Sequence, residues 1–405
     1  MENDAANQGA AFLPDWLGGI ALLVAVAFGF AWLLRRAGFP GAAAVGGIAA
    51  GLVLGPGVLG RIAPEVHDRL FGAAPAEFAA WREAERAVEA TQFVAGSAGV
   101  DPASARVQVE TLVAETEVRR AAWHAAVERA RRPFALVAIC LAALVFLLGG
   151  SVRPSDAEAS EGGRRRGILL GAWNACVPAV LAAVALRWLG EPAWSPTMFA
   201  AMAAVAAGAW PLEGADRASA RQALPGGERI VRTAALLANA VALALFAAAA
   251  GLAAPHPLAI PAVVALAAAF ALGPALGSFL PDDRLVRTVL AVLVPPLAAL
   301  AALRVEPFLD FRWSLLVVLA LIADDGRWLG GTLGSWLPGG ISFDRAMRLG
   351  LLAIPASPAM LAIVAVSLAT GWLSPAAAAG VLAGVLLIET LAPVRRRFAA
   401  DLPDR

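Results

Sequence analysis

The stretch "VLALIADDGRWLGG", Val318 to Gly331, places two aspartates and an arginine inside an otherwise apolar run. A charge at the centre of a membrane helix costs about 2.5–3.5 kcal/mol on insertion scales. Either this segment lies outside lipid, or partners compensate its charges. Read outward in both directions, the run stays apolar from about residue 313 to 334, long enough to cross hydrocarbon as a helix. The charges therefore need partners.

The rest of the chain repeats that pattern. Of 405 residues, 60% are hydrophobic and only 16% charged, with a mean hydropathy of +0.72. Soluble domains are nearer 45–50% apolar and 25% charged. The excess falls in blocks of roughly 18–25 residues, the span of a transmembrane helix. The expected fold is an all-α polytopic membrane protein. A net charge of +1 gives no basic surface for nucleic acid. All 32 cationic side chains are arginine, beside abundant Ala and Gly, and biased coding composition accounts for that. Cys140 and Cys176 sit in separate apolar blocks and read as buried free thiols. The acidic N-terminus "MENDAANQGAAFLPD" lacks the positive n-region of a signal peptide, so the first apolar segment reads as retained.

Eleven spans are expected, at roughly 15–34, 41–60, 133–150, 167–189, 195–212, 230–253, 257–280, 286–304, 313–334, 347–371 and 376–393. Arginines collect in alternate loops: Arg35 and Arg36, then Arg164 to Arg166, Arg217 with Arg221 and Arg229, Arg284 with Arg287, Arg345 with Arg348, and Arg395 to Arg397. The loops "LAAPHPLAI" and "ATGWLSPAA" carry none. The positive-inside rule then puts the N-terminus out and the C-terminus in.

Four regions follow: residues 1–60 with two spans, 61–132 outside the membrane, 133–397 with the remaining spans, and a short cytoplasmic tail at 398–405. The second is dense in mixed charge. "DPASARVQVETLVAETEVRRAAWHAAVERARR" opens with Asp101 as N-cap and Pro102 at the first helical position, and Val109, Leu112, Val113, Thr116, Trp123 and Val127 recur at roughly helical spacing. "PAEFAAWREAERAVEATQFV" reads as a preceding helix, with "AGSAGV" as the turn. The pair is expected as a helical hairpin on the outer face, a structural insertion or a binding surface.

Two spans contain breaks. "AAVAAGAWPLEGADRAS" stacks Gly208, Pro211 and Gly214, and "LGLLAIPASPAMLAIV" puts Pro355, Ser357 and Pro358 mid-span. Irregular backbone inside a membrane survives only where protein or a wet cavity surrounds it. Interrupted segments in corresponding halves point to inverted repeats with a midplane site, although prolines also produce simple kinks. Asn239 interrupts "TAALLANAVALALF", as an ion ligand or as interhelical glue. Asp324 and Arg327, three apart, share a helix face and can pair, whereas Asp325 points about 100° away.

"RAGFPGAAAVGGIAAGLVLGPGVLGRIAPE" resembles the opening of the monovalent cation:proton antiporter superfamily, whose "G-x-x-L-G-P-x-x-L-G" turn is matched by Gly51 to Gly60. "LVFLLGGSVRPSD", "LVPPLAALAALRVE", "LIADDGRWLGG" and "RLGLLAIPASPAMLAIVAVSLA" follow in the family's order, with Arg327 at its basic position. The resemblance covers most of the chain outside the hairpin. It implies a core bundle with crossed broken helices, a panel often used for dimerisation, and alternating access around an aspartate that exchanges a cation for a proton.

The sequence departs from that pattern where the chemistry should be. Counted from Gly227-Glu228-Arg229, the family's carboxylate position falls on Asn239, with Ala238 before it. Asn can ligate a cation but cannot exchange a proton. One helix stands between spans six and eight where relatives have three, and the family's Arg or Glu near the second break is replaced by Ala356, Ser357 and Pro358.

The expectation is a secondary transporter exchanging Na⁺ or K⁺ for H⁺, as a homodimer in a bacterial inner membrane. Asp324 or Asp325 would be the relocated carboxylate, Arg327 its charge partner and Asn239 a neutral ligand. The alternative is a transport-incompetent relative acting as a sensor or assembly subunit, with Asp324 merely neutralising Arg327. An enzyme is not expected: His67, His124 and His256 form no metal-spaced set, no nucleophile motif stands out, and no cofactor or resident metal is implied.

Overall fold

A computed structural model describes residues 15–39, 41–71, 80, 81, 83–88, 90, 91, 102–129, 161–208, 227–253, 283–306, 312–352 and 358–401. Spans three and seven of the sequence reading, Cys140 and His256 lie outside the described residues. Among the described residues every regular element is helical. Five of these helices are long and apolar enough to cross a membrane: Gly18–Arg36, Ala42–Ile62, Arg165–Trp188, Thr233–Leu252 and Pro375–Arg395.

The chain divides into two compact units, residues 1–20 with 59–135, and residues 21–58 with 136–405. Helix α1 (Asp15–Arg36) begins in the first and continues in the second, and α2 (Ala42–Leu54) belongs to the second. The first unit holds α3 (Leu59–Ile62), α4 (Pro64–Phe71), a helical stretch at 83–88 and α5 (Pro102–Arg129). Gly19 presses on the carbonyl of Leu70, where a methyl would collide. Pro102 takes the first helical position of α5, where a missing N–H costs nothing. The half-buried face of α5 is Val109, Leu112, Thr116 and Arg119, while Val113 is exposed. Arg119 pairs with Glu115 at 2.5 Å and donates to the carbonyl oxygen of Ala80 at 3.2 Å. Such exposed pairs contribute only about 0–1 kcal/mol.

The second unit continues with α6 (Glu161–Trp188), α7 (Pro196–Ala206), α8 (Gly227–Leu252), α9 (Asp283–Ala302) and α10 (Trp313–Leu321). A π turn (Ile322–Gly326) leads to α11 (Arg327–Trp336), α12 (Phe343–Leu352), α13 (Pro358–Ala369) and α14 (Pro375–Asp401). The residues expected as a short tail thus begin as part of α14, which is helical to Asp401.

Glycines set how these helices pack. Gly47, Gly51 and Gly55 of the α2 segment rest on the carbonyls of Pro295, Ala299 and Leu303, leaving no room for a methyl. Both chains advance four residues per contact, so α2 and α9 run parallel. Gly167 meets Ile230 and Thr233, and Gly171 meets Ala234 and Leu237, so α6 and α8 are parallel too. Gly380 meets Leu315 and Leu319, and Gly384 meets Ala320 and Ala323, making α10 and α14 a third parallel pair. In contrast, Gly326, Gly330 and Gly334 meet Pro178, Trp173 and Leu169 in turn, so α6 and α11 are antiparallel. Small residues are what allow such close backbone approach in the absence of a hydrophobic drive between helices in lipid.

Two helices are described over short lengths, and α7 is short for a structural reason. In α7, Ser195 is the N-cap and its Oγ accepts from the Met198 N–H at 3.1 Å, with Pro196 at the next position. The helix stops at Ala206, and Ala207 is extended. Helix α13 begins at Pro358 and ends where Trp372 and Leu373 donate to the Ser367 carbonyl around Gly371 at φ 73°. All twelve residues of α13 are buried. So are seven of the eleven in α7. Helices apolar on every side belong to an interior. At 1.5 Å per residue each is about 17 Å long, half the thickness of a bilayer core.

Candidate functional site

The centre of the unit is built around the end of α7. Four backbone carbonyls at a helix C-terminus have no intrahelical partner. Arg327, only 1% exposed, supplies donors to two carbonyls at this end: its Nε donates to Val205 O at 2.9 Å and its Nη2 to Ala207 O at 2.5 Å. The same Nη2 lies 3.6 Å from the Met360 Sδ, in the first turn of α13. One guanidinium therefore joins the C-terminal end of one short helix to the start of the other. Its fork geometry suits two adjacent carbonyls, and the negative end of the helix dipole favours its charge.

Asn239 reaches the same place from α8. Its Nδ2 donates to Ala235 O at 2.9 Å, one turn back, and to Gly208 O at 3.4 Å, just past α7. Gly208 packs on Ala235 and Ala238, too close for a side chain. With both amide hydrogens committed, Asn239 Oδ1 is left buried without a partner; Asn174 Oδ1 on α6 is in the same condition.

Asp324 has a different partner from the one its spacing suggests. Only 3% exposed, it accepts from Nη2 of Arg395 on α14, an ion pair across 71 residues of sequence. The parallel register explains the meeting. Gly380 and Gly384 lie opposite Leu315 to Ala323, so one further turn brings Ile388 level with Asp324. Arg395 is seven residues beyond that level, about 10 Å along the helix. Its side chain turns back, and Nη1 donates to Ile388 O at 3.4 Å. Pro393, inside α14, lacks the N–H that would bond Glu389 O, which loosens the helix just where the arginine folds back. Long cationic side chains near helix ends usually extend away from the apolar interior. Arg395 does the opposite, and Asp324 is the compensation.

The π turn separates the two roles. Its five residues place an extra residue in the helix between Ala323 and Arg327. Asp324 then faces α14, while Arg327, one turn on, faces the end of α7. The close ion pair of Asp324 is thus with Arg395, while Arg327 attracts the same carboxylate from one turn away. Asp325 is exposed, on the outward stripe of Val317, Leu321 and Leu329. It does not face Asn239.

Other residues depart from the sequence reading too. Glu389 on α14 has its carboxylate against Gly41, the left-handed N-cap (φ 66°) of α2, where a methyl would strike it. A carboxylate is favourable at a helix N-terminus. Cys176 is a free thiol but exposed rather than buried. Of the expected break residues, Gly208 and Pro358 are placed as described, whereas Pro211, Gly214, Pro355 and Ser357 lie outside the described residues. Among the described residues no three His, Cys, Asp or Glu side chains converge as a resident metal would need. Compared with known proteins, the chain matches no family model and no curated protein.

Proposed function

We propose that the chain is a secondary transporter that exchanges a monovalent cation, Na⁺ or K⁺, for protons by alternating access. The observation carrying this reading is the buried carboxylate of Asp324, held by a cationic partner one helical turn from the guanidinium that joins α7 to α13. A carboxylate that must bind either a proton or a metal cation needs shelter from bulk water and a neighbourhood rich in oriented dipoles. Asp324 has both. It does not take over the lost carboxylate position at Asn239; it would work beside the break, with Arg327 fixing the break's geometry and Asn239 Oδ1 as a neutral ligand.

The finer architecture belongs to the same proposal. Eleven spans, N-terminus out and C-terminus in, require α6 parallel to α8, α10 parallel to α14, α2 parallel to α9, and α6 antiparallel to α11. The glycine contacts give those four directions. Corresponding positions five spans apart then have opposite orientations: α6, α7 and α8 map on α10–α11, α12–α13 and α14, which is the pattern of an inverted repeat around two broken helices. Trp313 and Trp336, exposed at the two ends of the α10–α11 rod, suit the two interfaces of a bilayer. A bacterial inner membrane and a homodimer complete the reading.

A second reading has its own observation. Arg327 occupies the carbonyls of Val205 and Ala207, oxygens that could otherwise face an ion. If the guanidinium fills the very place an ion would take, the chain is an antiporter-like sensor or assembly subunit. Ion-driven proton flux in proteoliposomes with an internal pH dye, tested with Na⁺, K⁺ and Li⁺, separates the two. Exchange is expected in the wild type and lost in Asp324→Asn. A folded wild type that moves no protons with any of the three ions leaves the sensor reading standing.

A further inference from the structure

We infer that Arg395 is a positioning residue for ion exchange: a tethered counter-cation that holds Asp324 between turnovers and must swing away before a transported cation can bind. This rests on the exchange reading above.

Three observations carry it. The guanidinium is already on the carboxylate, with the Asp324 side chain 4% and the Arg395 side chain 14% exposed. It is there by reaching back along α14 to Ile388, against the usual direction for an arginine at a helix end. The retreat is short, because the residues around it already lead outward: Val394, Arg397 and Phe398 are exposed. The other charged groups facing the pair are Asp325 on the π turn, Glu389 on α14 and Arg327 one turn away. Of the three carboxylates that attract Arg395, Asp324 interacts most strongly and accepts its hydrogen bond, so Asp324 is the group Arg395 serves. A carboxylate with a built-in cation is never left bare in a low-dielectric interior, where an uncompensated charge is most costly. A transported cation then competes with the tether, and the apparent affinity includes the work of displacing it.

Replacing the tether should sharpen ion binding. With Arg395→Gln, the concentration of cation giving half-maximal flux at alkaline pH, where protons compete least, is expected to fall about tenfold, a difference of one decade in binding constant. Arg395→Lys restores a cation and should return the value most of the way to wild type, which a merely structural loss would not do. Pro393→Ala gives α14 back its hydrogen bond to Glu389 O, opposes the fold-back and should lower the value in the same direction. That variant and the lysine carry the test if Arg395→Gln does not fold. Flux appearing only in Arg395→Gln, with a silent wild type, also supports the tether. Half-maximal concentrations equal in wild type, Arg395→Gln and Pro393→Ala overturn it while leaving exchange intact. No flux in any of these folded proteins overturns the exchange reading, and the tether falls with it.

Discussion

Arg327 and Arg395 are both turned into the interior, and what holds them differs. Arg327 rests on main-chain carbonyls at the end of α7. Arg395 rests on a side-chain carboxylate and one carbonyl. A cation held by helix-end dipoles is held by something that cannot be protonated, exchanged or rotated away. A cation held by a carboxylate competes with every other cation and with the proton. The first arrangement makes a fixture, and on the exchange reading proposed above the second is the exchangeable site, although the two lie one turn apart on the same rod.

The largest effect should come from breaking the fixture. Arg327→Met removes two charge-assisted hydrogen bonds and orphans two carbonyls, at about 1.5–3 kcal/mol for each bond. Thermal unfolding in detergent should show a loss of about 4 kcal/mol, with Arg327→Lys recovering only part of it because ammonium lacks the fork. A loss below about 1 kcal/mol would erase the contrast. Next is the exchangeable pair. Removing one partner of a buried ion pair costs about 3–5 kcal/mol, and removing both costs less. Asp324→Asn should therefore destabilise by about 3 kcal/mol, and a double-mutant cycle with Arg395→Gln should recover much of that; additive losses would mean that the two groups do not act as a pair. Asn239→Ala comes third, at about 1 kcal/mol, since it removes its hydrogen bonds but leaves Gly208 packed on α8. Asp325→Asn, on an exposed stripe, should leave stability within about 0.5 kcal/mol and leave flux intact; a flux defect there would move the site to the outward face.

What the sequence exposes and what it hides follow from range. The apolar blocks, the arginine-bearing loops and the proline and glycine interruptions are local, and they suffice for an all-helical membrane chain with short helices near Gly208 and Pro358. The partners of Asp324 and Arg327 are not local. Val205 and Ala207 are more than a hundred residues from Arg327, and no helical spacing rule reaches that far. The i, i+3 rule finds the attraction between Asp324 and Arg327 but not the closer pair with Arg395, because it assumes an unbroken α-helix and the π turn at "IADDG" breaks that assumption. The adjacent aspartates before Gly326 were the available hint of irregularity.

The contact of Gly47, Gly51 and Gly55 with three successive carbonyls of the α9 segment has a mechanical consequence. Sliding α2 by one residue along its neighbour would put Ile48, Leu52 and Pro56 where only hydrogen atoms fit. The pair is a toothed beam rather than a greased bearing. Any rearrangement that involves these two helices has to move them as one girder, because the seam between them is not a slip plane.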